Sequence, residues 1–151
     1  MTNGTDIKVV KRDGETTPLD LDKIHHMVEH ACRDLAGVSE SQVEMNANLQ
    51  LFDGIQTKDI QEILIRSAND LITLDNPNYQ FVAARLLLFS LRKAVYNRHP
   101  DYHPDLKDHV QKCIDKRVYD SEILSKFTDE EWEKLNSFID HDRDYLFTYA
   151  G

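Results

Sequence analysis

The stretch that most constrains the fold runs from Val9 to Gly14, with the sequence Val-Val-Lys-Arg-Asp-Gly. Two β-branched residues favour a strand, and Asp-Gly is a strong hairpin signal because the favoured turn needs positive φ at both central positions. Lys11 and Arg12 then lie at the end of the strand and can offer positive charge to a phosphate. Side chains alternate between strand faces, so both cations reach one ligand only at the strand's end or where it twists. Taken alone, such a pair is more often a solvated hairpin edge.

Length and charge limit the classes of protein that this hairpin can belong to. The 151 residues make about one domain with a buried core. With 18 Lys and Arg against 27 Asp and Glu, the formal charge is −9, which argues against general nucleic-acid binding. The N-terminal residues contain no signal-like apolar run, and the longest apolar run, residues 81–89, contains Arg85, so neither secretion nor a membrane span is implied. Cys32 and Cys113 form no metal or redox motif, and we interpret them as reduced core residues of a cytosolic protein.

The residues after the turn predict a return strand and a first helix. Residues 16–19 can run back beside the first strand, where Pro18 confines them to the sheet edge because proline cannot donate to a ladder. Asp20 is placed to cap the following helix, and Gly37 is placed to end it. Apolar residues recur at helical spacing between these positions, at Leu21, Ile24, Val28, Ala31 and Leu35.

The next segment predicts a short helix and a third strand. Ser39 and Gln42 have the spacing of a capping box, which starts the helix. Residues 45–51 then alternate between apolar and polar side chains, a period of two that predicts a strand. Asp53-Gly54 follows as a second turn signal. Together with the hairpin, this makes a small sheet of three strands.

Two longer helices complete the N-terminal part. Thr57 is placed to cap the third helix, whose apolar residues follow at helical spacing. Asn76 and Pro77 form a good cap and first-turn pair for the fourth helix. Because residues 81–91 are apolar on nearly every side of that helix, we expect it to be central and the most buried, ending near Tyr96.

Residues 97–104 separate this part from a second one. They contain two prolines and two histidines and cannot continue a helix, so we interpret them as a linker between residues 1–96 and 105–151. Beyond the linker, apolar spacing predicts three short helices, the last of which begins at a capping box formed by residues 128–131. The predicted fold class is mainly α.

Several separated motifs occur in the order of one known family. They are Val-Lys-Arg-Asp-Gly from position 10, Leu-Asp-Lys-Ile from 21, Asp-Gly-Ile from 53 and Ala-Ala-Arg-Leu from 83. This set resembles an ATP-cone. Residues 138–144 with Thr148-Tyr149 resemble the segment that follows the cone in the large subunit of aerobic class I ribonucleotide reductase, so the resemblance covers about residues 8–151. It implies a three-stranded lid over a four-helix bundle, followed by further short helices.

The resemblance implies an allosteric module that binds ATP to permit activity and, in many members, dATP to stop it. Carried over by position, Lys11, Arg12 and Lys93 would face the phosphates, and Thr57 would add a hydroxyl near a helix start. Positive charge and a helix N-terminus also suit a triphosphate on physical grounds. Mg²⁺ would arrive with the nucleotide, and no metal site in the protein itself is expected.

The same resemblance implies positions around the base and sugar. Lys23 would lie near the phosphate or ribose, while Ile24 and Ile60 would pack against the base, although both also fit the buried stripes of their helices. Where the family often has a glutamate, an asparagine and a histidine around adenine, this chain has Thr17, Asp20 and Gln61. A carboxylate can still accept a hydrogen bond from an adenine amino group. The balance between ATP and dATP stays open.

The implied partners are the rest of the reductase large subunit and the radical-generating small (beta) subunit, in the oxidoreductase that makes deoxyribonucleotides. Neither cysteine matches a catalytic position of the family. We therefore expect this chain alone to be inactive, as a fragment, a split-gene product or a shortened chain that lacks the catalytic domain.

Other interpretations of the sequence remain. A transcriptional repressor that joins an ATP-cone to a zinc ribbon is disfavoured, because no paired-cysteine motif is present. A degenerate cone that serves only as a helical interaction module is the second alternative. His26 and His30 have spacing suited to zinc, and residues 140–144 imitate the start of a calcium loop, but neither has the further ligands that such sites need.

Overall fold

The computed structural model describes residues 7–98 and 101–151, which form a mainly α-helical chain with a small mixed sheet. Its contacts divide the described residues into two compact units, one comprising residues 7–98 with Tyr145–Gly151 and the other Asp101–Asp144. The elements of the first unit are β1 Lys8–Val10, β2 Thr16–Pro18, α1 Leu21–Cys32, α2 Glu40–Asn48, β3 Ile55–Gln56, α3 Thr57–Asn69 and α4 Tyr79–Tyr96. Those of the second are α5 Leu106–Asp115, α6 Glu122–Ser125 and α7 Asp129–Ser137, and a 3₁₀ turn spans His141–Leu146.

The sheet has the order β2-β1-β3, with β2 at an edge as Pro18 predicts. β1 and β2 are antiparallel, and Lys11 N–H donates to Glu15 O at 2.8 Å, which closes a loop of three residues. Among the described residues of this turn only Gly14 has positive φ, at 85°. We expected a two-residue turn with positive φ at both central residues, and this was wrong. The observed loop has three residues, and such a loop needs a left-handed residue only at its end.

β3 pairs with β1 in parallel, with Val9 opposite Ile55. The join is reinforced before the strand begins, because Lys8 N–H donates to Asp53 Oδ1 and Gly54 N–H donates to Lys8 O, both at 2.8 Å. Asp53-Gly54 therefore leads into the third strand rather than ending it.

The strand predicted for residues 45–51 was wrong, because most of this segment lies in α2. Ser39 Oγ accepts from Gln42 N at 3.4 Å and begins the helix. Val43 and Ala47, four residues apart, are then both buried. Two of the four apolar side chains that suggested alternation face solvent, with Met45 59% and Leu49 82% exposed. A capped start and a buried pair at helical spacing outweigh an alternation that only Ala47 and Leu51 follow into the core.

α1 ends earlier than Gly37, the residue predicted to close it. Asp34 adopts left-handed backbone at φ 60°, which stops the helix after Cys32, and Gly37, at φ 74°, lies in the turn beyond. The freed carbonyls of Ala31 and Arg33 are taken up by Arg85 Nη1 of α4, at 3.2 and 2.7 Å. A tertiary contact therefore replaces the glycine cap.

The starts of α3 and α4 also differ from their predicted caps. Thr57 is the first residue of α3, and the preceding residue caps it without a side-chain hydrogen bond. α4 begins at Tyr79 rather than after Asn76-Pro77. Asn78 Nδ2 donates to Ala36 O at 2.8 Å and Tyr79 Oη donates to Gln42 Oε1 at 2.9 Å, so contacts with the rest of the unit fix this start.

α4 packs on α3 and on α1 and supplies the centre of the core, as expected. Val82, Leu86 and Phe89 are at most 2% exposed. Although the helix is apolar on nearly every side, it is not buried on every side, because Leu87 and Leu91 on the other face are 46% and 58% exposed.

The second unit has the three predicted helices. Thr128 and Glu131 form both bonds of the capping box that starts α7, and Val110 and Trp132 are its buried apolar residues. Cys113 is only partly buried, whereas Cys32 is buried as expected, and both thiols are free. None of the described helices combines the length and apolarity that a membrane crossing requires.

Candidate functional site

A cavity of about 420 Å³ opens between the hairpin and helices α1, α3 and α4 of the first unit. Every residue that the sequence assigned to the nucleotide lines it: Lys11, Arg12, Thr17, Asp20, Lys23, Ile24, Thr57, Ile60, Gln61 and Lys93. The structure thus brings all ten together from the hairpin turn, β2, the α1 cap and three helices. Their roles toward a ligand remain predictions.

One wall of the cavity is cationic. Lys11 and Arg12 come from the hairpin, Lys23 from the first turn of α1 and Lys93 from the end of α4, so the lining holds four cations and only two carboxylates. The ion pair of Lys11 Nζ with Glu15 Oε2, at 2.7 Å, raises the pKa of Lys11. This lysine is therefore charged at neutral pH. In a chain of formal charge −9, such a wall is a local reversal of sign that suits an anionic ligand.

The N-terminus of α3 reaches the same cavity. Thr57, its first residue, lines the cavity with a partly buried side chain. Because the preceding residue makes no capping bond through its side chain, the first N–H groups of this 13-residue helix are not satisfied from that position. Such N–H groups and the helix dipole both favour negative charge.

A second wall is apolar. Ile24 and Ile60 are each 7% exposed, and Leu19 and Met27 lie beside them. The two isoleucines belong to the hydrophobic core and to the cavity wall at once. An apolar lining with a few placed polar groups is typical of a pocket for a small organic molecule.

Asp20 has two roles at the rim of this wall. Its Oδ1 accepts from the backbone N–H of Lys23 at 3.2 Å, which caps α1 as predicted, and its Oδ2 lies 3.1 Å from Lys23 Nζ. These bonds lower the pKa of Asp20, with the Lys23 side chain as the main cause. The carboxylate is therefore ionised at neutral pH and has acceptor capacity left for a ligand.

Gln61 holds an unsatisfied acceptor in the lining. Its Nε2 donates to Met27 Sδ at 3.8 Å, while its Oε1 is buried without a hydrogen-bond partner among the described residues. Leaving a buried carbonyl oxygen unpaired costs about 1–3 kcal/mol. A ligand in the cavity with an N–H donor would remove that cost if the Gln61 amide turned its buried oxygen toward the ligand.

Six lining residues were not among the ten: Val9, Asp13, Pro18, Leu19, Met27 and Asn97. Three of these had a usable signal in the sequence. Met27 follows Ile24 by three residues on α1 and so shares its face. Asn97 follows Lys93 by four and ends α4 in left-handed backbone at φ 51°. Asp13 belongs to the Asp-Gly turn itself, and the sequence analysis used it only as a turn residue.

The described residues contain no group of three or more His, Cys, Asp or Glu side chains that could hold a metal ion. His26 Nδ1 instead lies 3.3 Å from Glu29 Oε2. The ring of His30 packs edge-on against Phe89, with centroids 5.1 Å apart. The spacing that suggested zinc is used for contacts within the unit.

A hairpin, a helix start and an apolar wall around one cavity characterise the first unit, and the model of one family, the ATP cone domain, matches residues 7–94. The chain belongs to the ATP-cone family.

Similarity to individual proteins is more specific than the family. The chain is 47% identical over 143 residues, 95% of its length, to ribonucleoside-diphosphate reductase 1 subunit alpha of Escherichia coli (strain K12). It is 45% identical over 145 residues to the subunit alpha of Haemophilus influenzae and 40% identical over 148 residues to that of Enterobacteria phage T4. The similarity lies in the N-terminal region of these subunits, and the chain spans only 18–19% of their length.

Proposed function

We propose that this chain is the activity-regulating N-terminal part of a ribonucleoside-diphosphate reductase alpha subunit and that it binds ATP or dATP. The observation that carries the proposal is the single cavity lined by all ten residues that the family resemblance assigned to the nucleotide. A triphosphate brings roughly four negative charges, which four cations in the lining can oppose.

In the proposed complex the triphosphate lies among Lys11, Arg12 and Lys93, near the start of α3. The base packs between Ile24 and Ile60. Mg²⁺ accompanies the phosphates and needs no ligand from the protein. This arrangement ties the hairpin to the end of α4, so that the nucleotide orders the lid against the helices.

The acceptors at the apolar wall favour adenine. The ionised carboxylate of Asp20 and the unpaired Oε1 of Gln61 can both accept a hydrogen bond. Adenine offers an exocyclic amino group, whereas guanine presents a carbonyl oxygen at the equivalent ring position. An unpaired acceptor facing that oxygen would be repelled and would stay unsatisfied.

The proposed context is deoxyribonucleotide synthesis for DNA replication in the cytoplasm. Residues 1–96 form the regulatory domain, residues 97–104 act as a linker, and residues 105–151 lead toward the catalytic part. The nucleotide would control how this N-terminal region contacts the remainder of the large subunit and the radical-generating small subunit.

We further propose that this chain alone is not catalytic. Burial raises the pKa of the Cys32 thiol to about 12, so it is not a reactive thiolate at neutral pH. Cys113 approaches His109 Nε2 at 3.6 Å in a different unit from the cavity. The catalytic cysteines of the reductase belong to polypeptide outside this region.

Calorimetric titration of the chain with ATP, dATP and GTP, each with Mg²⁺, tests the proposal. We expect saturable binding of ATP and dATP, weaker binding of GTP, and a melting temperature that rises with ATP concentration. A folded chain that takes up neither adenine nucleotide at millimolar concentration would be a degenerate cone, and the proposal would fail.

A further inference from the structure

α4 has an exposed face that nothing in its own unit uses. Leu87, Leu91 and Val95 recur at a spacing of four and are 46%, 58% and 59% exposed. Gln80 and Ala84 precede them at helical spacing, so this face carries no charged residue over the whole length of the 18-residue helix. An uncharged apolar face of this length is typical of a surface that packs against other polypeptide.

The charged residues of α4 point elsewhere. Arg85 donates to two backbone carbonyls at the end of α1, Arg92 is 5% exposed, and Lys93 lines the cavity. All three charged residues of α4 therefore lie on its other sides, and the exposed face has none.

The last residues of the first unit lie along the same helix. Tyr149 N–H donates to Gln80 O at 3.1 Å. The Tyr145 ring centroid lies 5.1 Å from the guanidinium carbon of Arg85 and 5.8 Å from that of Arg92. Residues 145–149 are thus held on α4 at two points.

The stretch between these two points carries exposed apolar side chains of its own, with Leu146 72% and Phe147 62% exposed. We define the α4 surface as Leu87, Leu91 and Val95 alone.

The relatives indicate what covers this surface. About four-fifths of each alpha subunit lies outside the N-terminal region that this chain matches. In a subunit built in this way, the following polypeptide begins beside α4, directly after the segment that α4 holds. Segments consecutive in sequence are neighbours in space in roughly two-thirds of cases.

We infer that the α4 surface is the docking surface for the polypeptide that follows this region in the full-length large subunit, which covers it with an uncharged apolar face. The inference rests on the proposed function, because it takes the chain to be the N-terminal part of such a subunit. Lys93 lies between Leu91 and Val95 in sequence, so the docking surface and the cationic wall of the cavity share the last turns of one helix. A ligand bound on one side of these turns and polypeptide packed on the other can both change the conformational equilibrium of the end of α4, and so each can affect the binding of the other.

Thiol labelling tests where the surface is covered. Leu91→Cys is compared with Leu74→Cys, a matched control at a fully exposed leucine in the loop before α4. Both carry Cys113→Ser, and native Cys32 reacts slowly because it is buried. Each is prepared as this 151-residue chain and as a full-length subunit in which the chain replaces the matching region of the Escherichia coli alpha subunit.

The rate of maleimide labelling is measured for each site by mass spectrometry of its peptide. We expect Leu91→Cys to label at least about tenfold more slowly in the full-length subunit than in the chain alone, because a covered thiol reacts only when the interface opens. Leu74→Cys should label at similar rates in both. Equal rates for Leu91→Cys in the two proteins, or equal slowing at both sites, would overturn the inference.

Two further outcomes would contradict the inference in specific ways. Slow labelling of Leu91→Cys in the chain alone that depends on concentration would assign the surface to a second copy. Slow labelling at every concentration would mean that the surface is already covered within this chain.

Leu91 does not line the cavity, so ATP titration of the same variants reports separately on the proposed function. Protection without ATP binding would refute only nucleotide regulation, and ATP binding without protection only the docking.

Discussion

Replacing Lys93 with alanine tests whether the cavity binds phosphate between the hairpin and α4. In the proposed complex Lys93 is the cation from the helical side, while Lys11 and Arg12 come from the hairpin. A hydrogen bond to a charged group contributes about 1.5–3 kcal/mol, which corresponds to a loss of roughly 10- to 150-fold in affinity. ATP and dATP should weaken equally, because they differ only at the sugar.

The fold should survive this substitution. The Lys93 side chain is exposed, and alanine is the better helix former in the last turn of α4. Circular dichroism and the melting temperature without ligand should therefore match those of the unaltered chain. Arg66→Ala is the matched control, since Arg66 lies on α3, is 71% exposed and pairs only loosely with Glu62 at 3.8 Å.

Calorimetry at two salt concentrations completes the assay. Because the screening length shortens as salt rises, ATP affinity of the unaltered chain should fall with added NaCl, and that of Lys93→Ala should fall less steeply. An ATP affinity within twofold of the unaltered chain would remove Lys93 from the phosphate site. A loss confined to ATP would place it beside the sugar, and an equal loss in Arg66→Ala would make the effect one of general charge.

Three other expectations follow from contacts already described. Gln61→His should change the ratio of ATP to dATP affinity, because the side chain lies beside the proposed base and sugar. Titration with both nucleotides measures that ratio, and an unchanged ratio would contradict the proposed position of the base beside α3. Phe89→Ala removes a ring that is 1% exposed and should lower the free energy of unfolding by about 3–5 kcal/mol in urea, so a loss below about 1 kcal/mol would contradict the central position of α4. The hydrogen bond from His25 to Glu44, at 2.7 Å, raises the pKa of His25 above 6.5, so its stabilisation is complete below that pH and is lost as pH rises through the raised value. Glu44→Gln should flatten this part of the stability profile, and an identical profile in both proteins would refute the coupling.

The sequence predicted those parts of the fold whose signals are local. Asp20 as a cap, the capping box at Thr128 and the edge position of Pro18 each depend on neighbours a few residues away, and all three were confirmed. The strand predicted for residues 45–51 failed because alternation says nothing about which side chains will find a core. The end of α1 and the start of α4 were misplaced because Arg85 and Asn78 set them through contacts about 40 to 50 residues away in sequence.

The residues of the candidate site also differ in whether local sequence signals alone identify them. The hairpin cations stand out in the sequence because a strand and a turn place them together. Lys93 is an ordinary cation near a helix end, and only the resemblance to the ATP-cone joined it to them. Met27 and Asn97 were missed although each follows a predicted site residue at helical spacing, Met27 three residues after Ile24 and Asn97 four after Lys93.

The parallel pairing of β1 with β3 has a consequence for the order of folding. Val9 meets Ile55 across 46 residues, through a strand of only two residues, whereas α1 to α4 contain much of their bonding within themselves. Since the closure of a long loop must precede any gain from its contacts, we expect the helices to assemble first and the sheet to form on them last. The hairpin would then also be the first part to detach during partial unfolding. The part of the cationic wall that Lys11 and Arg12 contribute is therefore made in the last step of folding and lost in the first step of unfolding, the steps at which a bound anion would have its greatest kinetic effect.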